Sequence, residues 1–312
     1  MSRISVVVPV YHNASSLPDL LARLQALAGR HPLDAFRFVF VDDGSKDDSF
    51  AVLLKLRKDE SRVTAVKLSR NFGSNAALLA GLAETDGDAV ATISADLQDP
   101  PETLDSMLAH WRAGRKVVLA AREGRDDPPA TAFLARVFYH LFRKYAIPTM
   151  PEGGFDFFVV DRTVCDLLLG IQESNAYLMG LVLWLGFDPA VVPFRRQARE
   201  VRYGKSMWGF ARKLKYFIDS FVAFSYVPIR AASVLGLVVS AAGLLYALFI
   251  VSAHFVLDLK VQGWASLMIV LLVVSGAQLL VMGMIGEYLW RNLDETRRRP
   301  RYVVETVLRG EG

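Results

Sequence analysis

The stretch Ala-Val-Ala-Thr-Ile-Ser-Ala-Asp-Leu-Gln-Asp-Pro-Pro-Glu, residues 89–102, places an apolar run directly before a polar cluster. The apolar residues over 89–94 predict a buried strand, and the two prolines predict the first turn of a helix, where proline is tolerated. Between them, Asp96 and Gln98 carry oxygen atoms of the kind that Mg²⁺ or Mn²⁺ binds together with substrate phosphates. The stretch therefore predicts a strand that ends at a candidate metal-binding loop.

The same alternation of strand and helix recurs on both sides of this stretch. Short apolar runs predict strands, and stretches with helical spacing of leucine, alanine or phenylalanine predict helices. The predicted strands are 4–8, 36–41, 63–68, 89–94 and 117–121, and the predicted helices include 16–28, 74–85 and 132–145. This alternation predicts an α/β domain with a mostly parallel sheet. Helix 132–145 has one broad apolar face, which suits a core-facing helix and a helix at a lipid surface equally well.

Polar residues follow four of the predicted strands, at the point where each strand ends. In parallel sheets, ligands bind at the carboxyl ends of the strands, so these residues predict an active site. The clusters are Tyr11 to Asn13, Asp42 to Ser45, Asp96 to Asp99, and Arg122. Carboxylates such as Asp42 can accept hydrogen bonds from a ribose or a base, although an ordinary turn explains that cluster better when it is taken alone.

Composition and charge exclude several classes of protein. The net charge of +4 does not indicate a nucleic-acid binder. Cys165 is the only cysteine, so no intrachain disulfide forms. Neither a Gly-x-x-x-x-Gly-Lys-Ser/Thr loop nor a Gly-x-Gly-x-x-Gly fingerprint is present, which argues against ATPases and dinucleotide-binding enzymes. The first residues lack the apolar core of a signal peptide, so residues 1–210 are expected to stay in the cytoplasm.

Two long uncharged stretches predict a membrane hairpin. Residues 231–253 contain no charged side chain, and as a helix they extend about 34 Å, enough to cross a bilayer core. Residues 264–286 form a second such stretch. Basic clusters over 195–215 and 297–301 flank the pair, so the positive-inside rule places both chain ends in the cytoplasm and the protein in the inner membrane. Glycines within the second stretch are a weak signal for a homo-oligomer.

Four motifs in this order resemble the family 2 glycosyltransferases. They are Val-Val-Val-Pro-Val-Tyr at 6–11, Val-Asp-Asp-Gly-Ser at 41–45, Leu-Ser-Arg-Asn-Phe-Gly at 68–73 and Ala-Asp-Leu-Gln-Asp-Pro-Pro-Glu at 95–102. Arg-Tyr-Gly-Lys-Ser-Met-Trp at 202–208 and Phe-Ser-Tyr-Val-Pro-Ile-Arg at 224–230, before two spans, are similar to the polyprenyl-phosphate branch, which includes dolichol-phosphate mannose synthases and bacterial undecaprenyl-phosphate glucosyltransferases. The resemblance covers almost the whole chain.

The resemblance implies a GT-A fold, a UDP- or GDP-sugar donor, Mg²⁺ or Mn²⁺, and inverting transfer to a polyprenyl phosphate. It implies catalytic roles for Asp156 and Asp96, and metal binding by Asp96 and Gln98. The implied nucleotide-sugar contacts are Pro9, Tyr11, Asn13, Asp42, Asp43, Ser69, Asn71, Gly73, Asp96 and Gln98. The implied contacts to phosphate or acceptor are Arg122, Arg199, Arg202, Lys205 and Ser206.

The chain departs from the family pattern at two positions. Ser94 stands where many members carry the first carboxylate of Asp-x-Asp, and Phe158 stands where many carry an arginine two residues after the acidic position 156. Arg122 or Arg162 is expected to replace the missing cation. A phosphate monoester is mostly dianionic at pH 7, so a general base matters less than it does for a sugar hydroxyl. The roles open to Asp156 are a base, a residue that orients another group, and a residue that binds the sugar.

The sequence thus predicts an enzyme that transfers a sugar to a lipid-linked phosphate at the cytoplasmic membrane face. The predicted parts are a catalytic domain over 1–208, a juxtamembrane amphipathic helix over 209–228, two transmembrane helices within 229–290 and a basic tail over 291–312. The alternatives are a family 2 transferase with another acceptor, such as a growing polysaccharide, and a catalytically silent membrane scaffold. Two spans count against polysaccharide elongation, and the carboxylates at Asp42 and Asp96 count against a scaffold.

Overall fold

The computed structural model describes residues 1–123, 129–173, 177–196, 224–225, 227–257 and 263–310. The chain forms two compact units. The first unit comprises Met1–Ala223 together with Pro300–Gly312, and the second comprises Phe224–Arg299. The chain therefore leaves the first unit, forms the second, and returns to the first.

The first unit is an eight-stranded sheet with helices between the strands. The strands are β1 (Arg3–Val10), β2 (Ala35–Asp42), β3 (Val63–Leu68), β4 (Ala89–Thr92), β5 (Val117–Arg122), β6 (Phe157–Asp161), β7 (Pro189–Phe194) and β8 (Val304–Leu308). The helices are α1 (Leu17–Arg30), α2 (Ser49–Asp59), α3 (Ser74–Ala83), α4 (Thr103–Arg112), α5 (Pro129–Tyr145), α6 (Arg162–Gly170) and α7 (Leu178–Trp184). All five predicted strands are present.

The strand order is β7-β5-β6-β4-β1-β2-β3-β8. β1 pairs in parallel with β2 and β4, β2 with β3, and β5 with β7. β6 is antiparallel to both β4 and β5, and β8 is antiparallel to β3. Six strands therefore end at one edge of the sheet, here called the carboxyl edge, while β6 and β8 begin there. The prediction of a mostly parallel sheet is confirmed.

Helices cover both faces of the sheet. β1 is buried from Ile4 to Val8, as expected for a parallel strand with helices on both sides. On one face, the leucines of α1 pack into the main apolar core. On the other face α3 comes so close that a Cβ added at Gly81 would lie 2.3 Å from a Val7 methyl group. Glycine at position 81 therefore permits this close packing of helix on sheet.

Three strands were not predicted from the sequence: β6, β7 and β8. β8 lies within the predicted basic tail, 291–312, and that prediction did not include a strand. Its register pairs Leu308 with Ala65 and Val304 with Leu68. Predicted helix 132–145 is confirmed as α5. Within it, Phe142 is fully buried and packs edge-on against Tyr177, so at least this part of the helix faces the core.

The second unit contains two long apolar helices, α8 (Val227–Leu257) and α9 (Trp264–Thr296). Both contain a window long and apolar enough to span a membrane, and at most 6% of either window is buried within the protein. Apolar helices of a soluble core would be mostly buried, so these two are candidate membrane spans. The predicted spans 231–253 and 264–286 lie inside them. Most of the predicted helix over 209–228 lies outside the described residues, as does the predicted domain boundary at 208.

Candidate active site

The candidate site lies at the carboxyl edge, where the strand order changes direction. β1 pairs with β2 on one side and with β4 on the other, and the carboxyl ends of strands at such a switch point are where open α/β sheets bind ligands. The hydroxyl of buried Ser16 donates to the carbonyl oxygen of Ala95 at 2.7 Å, which ties these two loops together. The Asn13 N–H donates to Ser49 Oγ at 2.9 Å, which ties the loop after β1 to the start of α2. The predicted ligand loops therefore form one connected surface.

Asp42 ends β2 and is fully buried. Its Oδ2 accepts a hydrogen bond from the Ser45 N–H at 3.3 Å, whereas its buried Oδ1 has no hydrogen-bond partner among the described residues. Burial raises the pKa of this carboxyl, and the hydrogen bonds from Ser45 offset part of that effect. A buried acceptor without a donor costs free energy, so Asp42 Oδ1 is a candidate acceptor for a ligand that donates a hydrogen bond. A hydroxyl of a ribose or an N–H of a base has the required chemistry.

Asp43 has a different part in the site from Asp42. Its Oδ1 accepts from the Phe72 N–H at 2.7 Å and its Oδ2 from the Gly73 N–H at 2.9 Å. Both oxygens are therefore used to hold the loop that leads into α3. Gly44 adds to this contact, since a Cβ at position 44 would meet the backbone of Arg70 at 2.5 Å. Asp43 was predicted as a nucleotide contact, and its hydrogen bonds identify it as the support of loop 69–73.

Asp96 follows β4 in a tight turn in which Leu97 has a positive φ of 59°. Asp96 Oδ1 accepts from the Ser94 hydroxyl at 2.9 Å and from the Gln98 N–H at 3.2 Å. Both of these hydrogen bonds go to Oδ1, which leaves Oδ2 for a ligand. The serine at position 94, where a carboxylate is common in the resembling family, thus helps to orient Asp96.

Asp99 was predicted as part of the polar cluster after β4 but was given no role in the site, and it is only 2% exposed. Its Oδ2 lies 2.6 Å from Ser94 Oγ. Its Oδ1 accepts no hydrogen bond within the described part of the chain and lies 3.7 Å from the Arg196 guanidinium. Burial, and next the charge of Asp156, raise the pKa of Asp99 to about 6. The sequence feature that could have indicated a role for Asp99 is its carboxylate before the two prolines. A carboxylate at this position is equally compatible with a residue that only precedes a helix.

Arg122 and Asp156 form an ion pair across the antiparallel junction of β5 and β6. Arg122 Nη2 donates to Asp156 Oδ1 at 2.5 Å, and Arg122 Nε donates to Asp156 Oδ2. Both side chains are less than a quarter exposed. Burial opposes the charge on Arg122, but the hydrogen bonds and charge of Asp156 outweigh it and raise the pKa of the guanidinium. Because β6 runs backwards, Asp156 reaches the carboxyl edge beside the end of β5.

The same antiparallel direction excludes Arg162 as the replacement cation. Arg162 follows the end of β6, which lies at the opposite edge of the sheet. It donates there to the Thr85 carbonyl oxygen at 2.8 Å and pairs with Asp166. Of the two predicted replacements for a cation at Phe158, only Arg122 lies at the site. Phe158 itself is fully buried within β6.

The structure brings most of the predicted site residues to the carboxyl edge. Pro9 lies in β1 opposite Val41, and Tyr11 and Asn13 directly follow that strand. Ser69 and Asn71 are exposed in the loop after β3, and Gly73 has a φ of 95° that favours glycine. Four predicted phosphate contacts lie outside the described residues: Arg199, Arg202, Lys205 and Ser206.

The residues present fit a divalent cation. Asp96 offers Oδ2, and Gln98 follows two residues later. Asp99 contributes a buried oxygen that accepts no hydrogen bond from the described residues, although the Arg196 guanidinium lies 3.7 Å from it. Among the described residues, no three His, Cys, Asp or Glu side chains form a complete metal site. An ion here would therefore bind through one or two side chains and complete its coordination with water and substrate phosphate, as Mg²⁺ commonly does.

Comparison with known proteins agrees with this geometry. The family model described as glycosyl transferase family 2 matches residues 5–167, which include the loops after β1 to β5 and Asp156. A protein named bactoprenol glucosyl transferase, from Shigella phage SfX, is 32% identical over 309 residues and is covered over 99% of its length. That alignment covers 97% of this chain.

A second relative is similar over the same extent. It is named undecaprenyl-phosphate 4-deoxy-4-formamido-L-arabinose transferase, from Pseudomonas fluorescens (strain SBW25), and is 32% identical over 311 residues. The alignment covers 99% of this chain and 90% of that protein.

Among solved structures, mannosyl-3-phosphoglycerate synthase from Rubrobacter xylanophilus matches with a TM-score of 0.50 and 21% identity, over 71% of this chain and 72% of that one. This likeness concerns the fold, which is of the GT-A type. The family model spans more than half of the chain, and the relatives align over nearly its whole length. The α/β sheet with its acidic carboxyl edge is thus the catalytic domain of a glycosyltransferase, and the chain belongs to glycosyl transferase family 2.

Proposed function

We propose that this protein transfers a sugar from a nucleotide-sugar, with inversion at the anomeric carbon, to a polyprenyl phosphate at the cytoplasmic face of a membrane. The donor half of the proposal is supported by two buried carboxylate oxygens at the carboxyl edge, Asp42 Oδ1 and Asp99 Oδ1, which accept no hydrogen bond from any residue that the structure describes. The acceptor half rests on two relatives named for bactoprenol and undecaprenyl phosphate.

The donor nucleotide is proposed to lie along the ends of β1, β2 and β3. Asp42 Oδ1 is suited to accept from a ribose hydroxyl or a base N–H, and Tyr11 lies next to it at the end of β1. Loop 69–73, held by Asp43, lies at the same edge of the sheet. Pro9, Asn13, Ser69, Asn71 and Gly73 complete the proposed donor contacts. A UDP-sugar is favoured over a GDP-sugar by the bacterial resemblance.

Asp96 and Gln98 are proposed to hold Mg²⁺ or Mn²⁺ with the diphosphate of the donor. When bound, such an ion would neutralise charge that develops on the leaving nucleoside diphosphate. Ser94 and the Gln98 N–H hold Asp96 by Oδ1, so that Oδ2 stays available. Asp99 lies behind Ser94 and supports this arrangement.

Arg122 is proposed to bind the acceptor phosphate, and Asp156 to orient Arg122. The two hydrogen bonds to Asp156 use Nε and Nη2 of Arg122, and the guanidinium presents its remaining donors to an anion. A polyprenyl phosphate is already mostly dianionic at pH 7, so little deprotonation is needed. Asp156 as an ion-pair partner suits this chemistry better than Asp156 as a general base. Arg199, Arg202, Lys205 and Ser206 stay predicted contacts of the same phosphate.

The transfer is a substitution at the anomeric carbon. An oxygen of the acceptor phosphate forms a bond to that carbon from the face opposite the leaving group. The bond from the anomeric carbon to the diphosphate oxygen breaks, and its electron pair leaves with the nucleoside diphosphate. The protein brings two anionic substrates together, and Arg122 together with the candidate cation site counteracts their repulsion.

α8 and α9 are proposed to anchor the protein in the inner membrane as a hairpin. The first unit is joined to both ends of this pair, because β8 follows α9 and belongs to the sheet. The two helices therefore cross the membrane in opposite directions, and their basic flanks favour the cytoplasmic side. Association between subunits, for which Gly276, Gly283 and Gly286 are candidates, stays a prediction.

The test is turnover by purified full-length protein with undecaprenyl phosphate, Mg²⁺ or Mn²⁺, and a panel of UDP- and GDP-sugars. The lipid product is read by mass spectrometry, and one added hexose or N-acetylhexosamine is expected with one donor. Asp96→Ala and a chelator should each abolish the product, while Asp59→Ala, at an exposed position at the end of α2, should not.

Two other outcomes would replace the proposal. A product only with a sugar acceptor would identify a polysaccharide-elongating transferase. Absence of both transfer and donor hydrolysis, in protein shown to be folded by circular dichroism, would identify a silent scaffold.

A further inference from the structure

The carboxyl-terminal strand β8 contacts the loop that borders the proposed donor site. β3 would be the edge of the sheet without β8, which pairs with it antiparallel from Leu308 opposite Ala65 to Val304 opposite Leu68. One residue beyond, the Ser69 N–H donates to the Val303 carbonyl oxygen at 3.0 Å. Ser69 is the first residue of loop 69–73, so a backbone hydrogen bond connects the start of this loop to the carboxyl-terminal segment.

The same segment also contacts the far end of α3, the helix that follows the loop. Arg309 Nη2 donates to Glu84 Oε2 at 2.8 Å, directly after α3 ends. The Arg57 guanidinium of α2 donates to the Arg309 carbonyl oxygen at 2.7 Å. Along β8, Lys67 Nζ pairs with Glu305 Oε1 at 3.0 Å. The segment 303–309 therefore holds both ends of the unit formed by loop 69–73 and α3.

From the inner side the loop is held by Asp43 and Gly44. Asp43 accepts from the N–H groups of Phe72 and Gly73, and the Arg70 backbone lies against Gly44. These contacts fix the second half of the loop. The first half, at Ser69, is fixed by the hydrogen bond to Val303. The inner contacts and β8 thus hold different parts of one loop.

We infer that β8 is a positioning element of the donor site: its pairing with β3 holds loop 69–73 in the conformation that binds the nucleoside diphosphate. The name donor site rests on the proposed function, whereas the coupling between β8 and the loop is a property of the free protein. Because α9 ends at Thr296 and β8 begins at Val304, only seven residues separate that helix from this element. The segment that follows α9 therefore helps to hold the donor site.

A substitution at Gly310 can destabilise the pairing of β8 at a position far from the donor site. A Cβ at position 310 would lie 1.7 Å from the Ser61 carbonyl oxygen, so alanine cannot fit without displacing the strand end. Gly310 lies at the opposite edge of the sheet from Ser69, about 20 Å away along the strand. Gly310→Ala therefore perturbs β8 without touching the donor site. Gly29→Ala is the matched control, because a Cβ there meets no atom within 4 Å.

The experiment is amide hydrogen exchange of the full-length protein without nucleotide, followed by donor kinetics. In Gly310→Ala, the amides of 304–308 and of 69–73 should both exchange faster than in the wild type and in Gly29→Ala. The KM for the donor should then rise about fivefold or more while the KM for the lipid acceptor changes little. Glu305→Lys, which places two like charges beside each other at Lys67, is the second variant if Gly310→Ala fails to fold.

Faster exchange in 304–308 with unchanged exchange in 69–73 would overturn the inference, as would equal increases in both KM values. Failure of the proposed function is distinguishable from this, because it would appear as no turnover in the wild type. The exchange comparison decides the coupling in either case.

Discussion

At the scale of single residues, the site depends on which carboxylates have partners. Both oxygens of Asp43 accept from backbone N–H groups, and both oxygens of Asp156 accept from Arg122. Asp42 has one buried oxygen for which the described residues provide no partner. Neighbouring aspartates in the sequence therefore have different tasks. The same logic explains why Ser94 is compatible with a metal site, because its hydroxyl orients Asp96.

The pair of Arg122 and Asp156 makes a prediction about geometry. Arg122→Lys keeps the charge but cannot make two parallel hydrogen bonds, so transfer should fall about 10- to 100-fold in kcat/KM. Arg143→Lys is the control, since Arg143 lies on α5 and pairs with the exposed Glu152 that follows this helix. Steady-state kinetics with varied lipid acceptor measures the effect, and retention of full activity in Arg122→Lys would refute the bidentate role.

Asp43 makes a prediction about pH. Burial raises its pKa above the unfolded value of 3.8, so between pH 3.8 and the raised value the folded state binds more protons than the unfolded state. The contribution of this carboxyl to the free energy of unfolding therefore falls as pH rises through that window. Asp43→Asn lacks this dependence, although it loses one hydrogen bond to loop 69–73 at every pH.

Thermal unfolding at pH 4 and pH 7 tests this sign. The melting temperature of Asp43→Asn minus that of the wild type should be higher at pH 7 than at pH 4. Asp59→Asn, an exposed aspartate at the end of α2, serves as the control. If this difference is instead lower at pH 7 than at pH 4, the pKa of Asp43 in the folded protein is lowered and the prediction is wrong.

At the scale of secondary structure elements, α3 and the two reversed strands define the site. α3 approaches the sheet at Gly81, which lets loop 69–73 lie close to the end of β2. β6 and β8 run against the other strands and bring their first residues to the carboxyl edge. Asp156 and Val303 reach the site only because of this reversal.

Gly81→Ala tests the packing of α3. The added Cβ would lie 2.3 Å from a Val7 methyl group and 3.0 Å from a Val41 methyl group. Overpacking of this kind costs about 1–3 kcal/mol, although alanine favours a helix by about 0.5–1 kcal/mol relative to glycine. We expect a net decrease in the free energy of unfolding, measured by denaturant titration. Gly29→Ala in α1, which has open space, should instead be neutral or stabilising.

At the scale of the whole molecule, the chain leaves the catalytic unit for the hairpin and then returns to it. In the proposed membrane hairpin, the return of β8 to the sheet requires both ends of the hairpin to lie on one side of the membrane. A maleimide that cannot cross membranes should label Asp258→Cys, between α8 and α9, only from the outside in intact cells. Arg297→Cys, after α9, should be labelled only after permeabilisation.

The native Cys165 gives a low background in this assay, because it is buried and burial raises its pKa, which keeps the thiol protonated. Labelling of both engineered cysteines from the same side would exclude a two-span hairpin.

The sequence by itself determined the five parallel strands, the acidic loops at their ends and the two long apolar helices. These features follow from local patterns, namely apolar runs, turn residues and uncharged stretches. Each pattern depends on residues that are close together in the sequence. The motifs also indicated the family. Most of the predicted site residues lie at one edge because parallel strands end together.

Only the tertiary structure decided which residues pair across the site. The choice of Arg122 over Arg162, the burial of Asp99 and the role of Asp43 all depend on strand direction and on contacts distant in sequence. β8 pairs with a strand more than 230 residues earlier in the chain, since Glu305 and Lys67 are separated by 238 positions. A five-residue segment such as β8 carries little local signal for a strand. It becomes a strand because β3 supplies backbone hydrogen-bond partners. The physical reason is that strand pairing depends on contacts between residues far apart in the sequence, and no short stretch of sequence contains both partners.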